Sequence, residues 1–441
     1  MAIAKAKANP TKAFFVHMIT RDINLSDCIL DLIDNSIDAA RTKSAFTAPS
    51  LDATPDYKPY SIEISISKDE FQIKDNCGGL SLSDATDYAF TFGRRDDDEA
   101  DPFTIGVYGI GMKRAMFKLG KRILIRSTHE GDPSFKAVID VDTWATRESK
   151  DWDFDLEADE TMPSPGLSIF VKDLYSGISD EFGNPAFLNE LAMTIKRDYS
   201  RFINFGLSVK LNGDVLTASN LQFLEGEGIS PVRETLDIDG VTVEILAGMA
   251  AKPTEGNEPS DQDPYENRYG WYVLCNDRVV VAADKSEETG WGVNGVPRWH
   301  PQYAGFLGIL FFSSNNAVNL PLTTTKRRVD QSSKIYRQAL VEAKPMTRKW
   351  IEYTNARKIS IDEARRLENA ATASYAFRSN IGKNFTLPTL PEGRVIKERN
   401  IAYRMEESRI KKLAEAFGYA GMTAKDVGIQ SFEFAEKEMV S

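Results

Sequence analysis

An α+β fold is the class this sequence predicts, and three features carry the expectation. Segments such as Ser61-Ile-Glu-Ile-Ser-Ile-Ser alternate apolar and polar residues with the period of a half-buried strand. Between such segments lie stretches with helical spacing, above all Cys28-Ile-Leu-Asp-Leu-Ile-Asp-Asn-Ser-Ile-Asp-Ala-Ala. Residues 330–369 are mostly helical in pattern, so the later part of the chain differs from the earlier part. At about 150 residues per domain, 441 residues predict two to three domains.

Taken in order, residues 12–44 read as helical, with Ser26 as the expected N-cap. Residues 45–60 contain Pro49, Pro55 and Pro59 and read as a loop. The strand that begins at Ser61 has Phe71-Gln-Ile-Lys as its hairpin partner, which runs directly into Asp75-Asn-Cys-Gly-Gly. A glycine-rich stretch precedes a helix near Gly111–Leu119, strands follow at 122–127 and 135–141, and Leu167-Ser-Ile-Phe-Val completes the sheet. A helix over 186–204 leads into a second unit with strands at 207–211, 241–246, 271–274 and 306–313. Within it, residues 251–269 are polar, contain Pro253, Gly256, Pro259 and Pro264, and read as a long loop. Residues 384–392, with Pro388 and Pro391, read as a linker, and 396–418 read as a charged amphipathic helix.

Composition narrows the chemistry. Cys28, Cys77 and Cys275 form no CxxC pair, which argues against a disulfide framework and a thiolate zinc site. His17, His129 and His300 are too few and scattered for a histidine-rich metal centre. No apolar run of about 18 residues is present, so no membrane span is expected. Met1-Ala-Ile-Ala-Lys-Ala-Lys lacks the apolar stretch of a secretion signal, so a cytoplasmic location is expected. Chemistry is left to carboxylates, lysines and backbone amides. The net charge of −11 is uneven: residues 326–441 hold 23 Lys and Arg against 15 Asp and Glu, a balance of +8, and residues 1–325 carry −19. A basic end on an acidic body fits contact with a polyanion, and it equally fits solvated helix faces.

Three segments carry candidate chemistry, each with a plainer reading. On the first helix Asp27, Asp31, Asp34/Asn35 and Asp38 fall along one side while Ile29, Leu30, Ile33 and Ile37 face a core. That stripe is either a solvated face or a site where magnesium and phosphate offset the repulsion. Asp75-Asn-Cys-Gly-Gly is either a simple turn or an adenine pocket, where Asp75 accepts from the exocyclic amine and glycines admit a flat ring. Ile105-Gly-Val-Tyr-Gly-Ile-Gly-Met-Lys-Arg-Ala is either a flexible loop or an anion cradle at a helix N-terminus, with Lys113 adding charge. It matches neither GxxxxGK[ST] nor the dinucleotide fingerprint. Phe92-Gly-Arg-Arg-Asp-Asp-Asp-Glu-Ala-Asp between them is suited to a movable lid.

The order of these segments resembles the GHKL ATPases, which include gyrase, the heat-shock chaperone, histidine kinases and MutL. Asp34-Asn-Ser-Ile-Asp-Ala and Gly106-Val-Tyr-Gly-Ile-Gly-Met-Lys look closest to the MutL and MORC branches. Gly270-Trp-Tyr-Val-Leu-Cys-Asn-Asp-Arg-Val-Val resembles the strand–turn–strand of a MORC-type transducer domain. Leu320-Pro-Leu-Thr-Thr-Thr-Lys-Arg-Arg-Val-Asp resembles the loop with the family's γ-phosphate lysine, placed here at Lys326. The resemblance implies a Bergerat-type ATP-binding α/β sandwich over residues 1–178. It further implies an α+β transducer domain over 179–355 and a mostly helical region over 356–441.

It also implies ATP and Mg2+, with Asn35 as the metal ligand, Asp31 as general base and Lys326 as phosphate sensor. Asp75 reads adenine with Gly79 beside it, and Asp38, Gly106, Gly109, Gly111, Met112 and Lys113 border the nucleotide. The family's base is usually glutamate, and Asp31 reaches roughly 1.5 Å less far, which implies slow hydrolysis. Where many relatives have Gly-Thr, this chain has Gly166-Leu-Ser, and Ser168 would supply the hydroxyl one position later. The implied function is an ATP-driven switch that dimerises on ATP binding and clamps DNA or a partner protein, in bacterial defence by analogy. The alternative is a nucleotide-dependent interaction module that does not hydrolyse.

Overall fold

The computed structural model describes residues 11–44, 49–91, 104–105, 109–147, 151–251, 268–323, 326–378, 380–390 and 401–440. Gly106, the expected lid from Phe92 through 101, and nearly all of the expected loop over 251–269 lie outside the described residues. The chain divides into two compact units, Met1–Pro391 and Glu392–Ser441.

Two helices, α1 (Lys12–Arg21) and α2 (Leu25–Lys43), make up the stretch expected to be helical over 12–44. The N-cap of α2 is Asn24 rather than Ser26. Its side-chain oxygen accepts from the Asp27 amide at 2.8 Å, in extended backbone that ends the preceding turn. Then come β1 (Ser61–Ile66), β2 (Glu70–Asp75), the short turn α3 (Leu82–Asp84), α4 (Gly111–Leu119), β3 (Gly120–Thr128) and β4 (Phe135–Asp140). Next are α5 (Val141–Thr146), β5 (Leu156–Ala158), β6 (Gly166–Leu174), α6 (Ser176–Phe182), α7 (Pro185–Asp198), α8 (Ser200–Asn204), β7 (Ser208–Leu211) and β8 (Asp214–Val215).

These eight strands form one sheet in the order β5-β4-β3-β6-β2-β1-β7-β8. Strand β6 lies in its middle, between β3 and β2. Strand β7, expected in the second unit, pairs in parallel with β1 from Ser61↔Ser208 to Ile64↔Leu211. The apolar residues Val209 and Leu211 thereby extend the face made by Ile62 and Ile64. On that face α2 buries Cys28, Ile29, Leu30, Ile33 and Ile37, and α4 buries Ala115, Met116 and Leu119. At about 1.5–3 kcal/mol per buried large aliphatic side chain, this stripe anchors α2 to the sheet.

A second sheet follows β9 (Gln222–Glu225): β10 (Val232–Ile238), β11 (Val241–Met249), β12 (Gly270–Cys275), β13 (Arg278–Asp284) and β14 (Phe306–Ser313), ordered β10-β11-β14-β12-β13. Strands β12 and β14 are buried along their whole length, because both faces of the sheet are covered. One face packs with Tyr336, Met346 and Trp350 of α9 (Lys334–Ile359) and Ala364 of α10 (Ile361–Ala370), and the other with Phe377 and Ile381. Strand β15 (Thr372–Tyr375) pairs with β9.

In the unit Glu392–Ser441, helix α11 (Glu407–Ala416) is shorter than the helix expected over 396–418, and α12 (Ala424–Met439) follows it. Among the described residues of this unit, only Ala414 and Val427 are buried. No helix among the described residues is long and apolar enough to cross a membrane.

The tip of the β12–β13 hairpin joins the two sheets of the first unit. Asn276 and Asp277 have φ of 46° and 71°, the doubly left-handed geometry of a two-residue hairpin turn. Asp277 takes the Arg201 guanidinium at 2.6 Å and that of Arg41, on α2, at 3.2 Å, and all three side chains are buried. Asn276 donates to the carbonyls of Thr104 and Ser314 at 3.2 and 3.1 Å. Replacing Asp277 by Ala leaves two buried arginines without their shared carboxylate, a loss of about 3–5 kcal/mol. The chemical-denaturation midpoint of Asp277→Ala is expected to fall accordingly, and an unchanged midpoint would contradict the bridging role.

Candidate functional site

Helix α2 carries the acidic stripe, and the structure removes the reading of a solvated face where it matters most. Asp31 is 2% exposed and Asp34 is 0% exposed. Their repulsion is offset by cations of the chain itself. Arg114 of α4 donates to Asp31 Oδ2 at 2.6 Å. Lys326 Nζ lies 3.1 Å from Asp34 Oδ2 and 3.5 Å from Asp31 Oδ1. Arg278, at the start of β13, pairs with Asp34 Oδ1 at 2.9 Å, and the Tyr199 hydroxyl donates to the same oxygen at 2.8 Å. Arg327 bonds Asp27 and also reaches Asp198 at 2.6 Å. Asp38 accepts from the Ile105 amide at 2.8 Å.

Burial alone would push the Asp34 carboxyl up, but Arg278, Lys326 and the hydrogen bonds from Tyr199 and Lys326 outweigh it and hold it below the usual carboxylate range. The converse holds for Lys326. Burial disfavours its ammonium, and Asp34 and Asp31 more than compensate, so its pKa is raised. Arg278 is held protonated in the same way. Asp27 differs, because burial there prevails over Arg327 and its pKa is raised.

At the end of β2, Asp75 faces the helices along with Ile73. The Ser36 hydroxyl donates to its Oδ2 at 2.7 Å, and the amides of Cys77 and Leu167 donate to its Oδ1 at 2.9 and 3.2 Å. Burial raises its pKa, with those three hydrogen bonds acting the other way. Leu32, Asn35, Ser36, Ile73, Asp75, Leu167 and Ile169 line a cavity of about 10 Å³ here, room for one water. A ring would therefore lie against this corner rather than within it. Gly79 has φ +66°, and a Cβ there would lie 2.2 Å from the Thr128 carbonyl oxygen, so the close approach of backbone to backbone requires glycine.

The remaining candidates divide. Gly111 opens α4, and a Cβ on it would come 3.3 Å from Asp31 Oδ2, so its small size lets α4 approach the carboxylate. Gly109 precedes it with φ +65°. No side chain caps α4, and the amides of its first turn lack intrahelical acceptors. Met112 is buried. Lys113 is buried too, and its ammonium donates to the carbonyls of Ala89 and Thr91 at 2.9 and 2.6 Å. Burial pushes its pKa down to about 8. Ser168 is not brought to Asp75. Its hydroxyl accepts from Gln72 at 3.4 Å on the opposite face of the sheet, because a shift of one residue along a strand reverses the direction of the side chain. Ser36 instead provides the hydroxyl at Asp75.

Sequence reasoning missed Ser36, Arg114, Tyr199, Arg278 and Arg327. Ser36 and Arg278 sit inside motifs already singled out, Asp34-Asn-Ser and Cys-Asn-Asp-Arg. Arg114 and Arg327 likewise lie in quoted segments, Gly-Met-Lys-Arg and Thr-Lys-Arg-Arg, while Tyr199 has no local signal, since its partner is fixed only by tertiary packing.

Residues 23–163 match the family described as Histidine kinase-, DNA gyrase B-, and HSP90-like ATPase. No curated protein matches the chain. The matched segment holds α2, Asp75 and α4, and its similarity to a GHKL-type ATPase domain suggests ATP binding in this part of the chain. Arg278 and Lys326 lie beyond it.

If Asp75 accepts from the adenine amine, its carboxylate form is the stronger acceptor. Because its pKa is raised, ATP affinity is expected to weaken on acidification while the pH is still above the ordinary carboxylate range. Asp75→Ala is expected to lose ATP and ADP binding together, by calorimetric titration. Near-normal affinity in the folded variant would sink the assignment.

Proposed function

We propose that the chain binds ATP with Mg2+ against the α2–Asp75 corner, hydrolyses it slowly and uses the cycle as a conformational switch. One observation supports this above others: Lys326, 292 positions away along the chain, reaches Asp34 on the helix that the ATPase family match contains. In this reading the ammonium exchanges its carboxylate partners for the terminal phosphate when a triphosphate is bound.

Asn35 fits a magnesium site. It is half-buried, lines the cavity beside Asp75, and its side chain has no hydrogen-bond partner among the described residues. Mg2+ commonly takes one or two protein oxygens and completes its shell with phosphate and water. When bound it would neutralise charge that develops on the transferred phosphoryl group. Among the described residues no three His, Cys, Asp or Glu side chains cluster to hold a metal without that help.

Asp31 is the proposed base. Its Oδ2 is engaged by Arg114, and Lys326 stands 3.5 Å from Oδ1. Departure of Lys326 to phosphate leaves Oδ1 for a water, so closure and base activation coincide. The Gly109–Lys113 segment would border the phosphates through backbone amides, with the Lys113 ammonium engaged by the Ala89 and Thr91 carbonyls.

The wider reading has a transducer domain carrying Lys326 and a helical C-terminal region, with the divisions expected at 178 and 355 although β7 and β8 pair within the first sheet. Its kinship is with MutL- and MORC-like ATPases, its location the cytoplasm, and its cycle includes ATP-dependent homodimerisation with DNA or a protein as client, in a defence role. The basic residues divide with respect to DNA. Arg357 is held by both oxygens of Glu368 at 2.6 and 2.8 Å, and Lys411 pairs with Glu407 at 2.8 Å. Lys344, Arg348, Lys358, Arg404, Arg409 and Lys412 have no ion-pair partner among the described residues, which leaves these cations for phosphate contacts.

Asp31→Asn preserves shape while removing the base. It is expected to retain ATP affinity and lose about 10²-fold or more in steady-state phosphate release. Lys326→Ala is expected to leave ADP affinity unchanged while weakening hydrolysis and closure. Equal phosphate release by wild type and Asp31→Asn would favour the interaction module that does not hydrolyse.

A further inference from the structure

Two buried carboxylates share one lysine, and each also has an arginine of its own. Asp34 gives Oδ1 to Arg278 at 2.9 Å and Oδ2 to Lys326 at 3.1 Å. Asp31 gives Oδ2 to Arg114 at 2.6 Å and has Lys326 at 3.5 Å from Oδ1. Arg278 makes one more contact: its Nη1 donates to the backbone carbonyl of Lys326 at 3.2 Å. Lys326 has φ +55°, a left-handed conformation that L side chains rarely adopt, so its backbone needs to be held.

Arg278 is itself held on several sides. Its guanidinium lies 5.7 Å from the centre of the Tyr199 ring, and it directly follows Asp277, which is bound by Arg41 and Arg201. The side chain is 1% exposed. It touches the carboxylate that Lys326 would leave and the backbone from which Lys326 projects.

We propose that Arg278 is the positioning residue for phosphate sensing: it retains the charge of Asp34 and the backbone of Lys326 so that the Lys326 ammonium can transfer to the terminal phosphate of a nucleoside triphosphate. This rests on the ATP reading above. Without a resident cation, departure of Lys326 would strand a buried carboxylate, and the penalty for an unpaired buried charge would keep the lysine in place. With Arg278 present, the triphosphate competes only for the second partner of Asp34. Discrimination between ATP and ADP then depends on a residue that touches neither.

The test is calorimetric affinity of the full chain for ADP and for a non-hydrolysable ATP analogue. Arg278→Gln is expected to leave ADP affinity unchanged and to lower the ratio of analogue to ADP affinity by about tenfold. Adding Asp34→Asn, which removes the charge and keeps an oxygen for Tyr199, is expected to restore that ratio. A merely structural role would not be rescued in this way. An unchanged ratio in Arg278→Gln, or no restoration in the double variant, overturns the proposal. Should Arg278→Gln fail to fold, Arg278→Lys decides: its single ammonium cannot serve both acceptors, so the ratio falls with ADP affinity intact, and an unchanged ratio overturns the proposal. A wild-type chain that binds neither nucleotide overturns the ATP reading itself, which is a distinguishable result.

Discussion

Asp34 has no access to solvent, and everything around it is arranged to keep its charge there. Tyr199, Arg278 and Lys326 approach it from three separate stretches of chain, and Arg114 serves the neighbouring Asp31 from a fourth. A buried carboxylate without such partners would protonate or force the helix to turn outward. The packing of α2 on its sheet and the docking of the second sheet against α2 are therefore one condition. Apolar packing of Ile29, Ile33 and Ile37 fixes which face of α2 turns inward, and the cations determine that the opposite stripe can be covered at all.

Ion pairs at this position suit a switch better than a simple anchor. A buried pair contributes little net stability relative to an apolar contact, yet losing one partner is heavily penalised. The arrangement is thus close to balance while complete and sensitive to anything that offers one member a better partner. A phosphate chain is such an offer for a lysine. The Asp277 cluster with Arg41 and Arg201 differs, since both arginines share one carboxylate and each also donates to a backbone carbonyl. In the proposed switch it would be the fixed point for movement of the Lys326 loop.

Much of the first sheet was legible because alternation at Ser61–Ile66 and spacing along α2 reflect burial directly. The glycines at 79 and 111 also stood out, although packing against Thr128 and Asp31 accounts for them without any ligand. Other features depend on tertiary choices that no local pattern records. Asn24 rather than Ser26 caps α2, because two adequate caps lie two residues apart and the break after α1 selects the first. Strand β7 joins the first sheet because β1 has a free edge there, a fact invisible until the strand order is known. Ser168 was displaced by the smallest possible step, one residue, and in a strand that step means the other face. The acidic stripe was visible, but its neutralisation by Arg114, Arg278 and Lys326 was not, since ion partners leave no periodic trace.

The central claim is that nucleotide state is read by the loop bearing Lys326 through the carboxylates of α2. Amide hydrogen exchange on the full chain, followed by mass spectrometry, tests it directly with ADP and with a non-hydrolysable ATP analogue at saturating concentration. The account predicts slower exchange with the analogue than with ADP in the peptide containing Lys326 and in the turn at Asn276 and Asp277, with α2 protected by both nucleotides. Equal protection of the Lys326 peptide by the two nucleotides would contradict it.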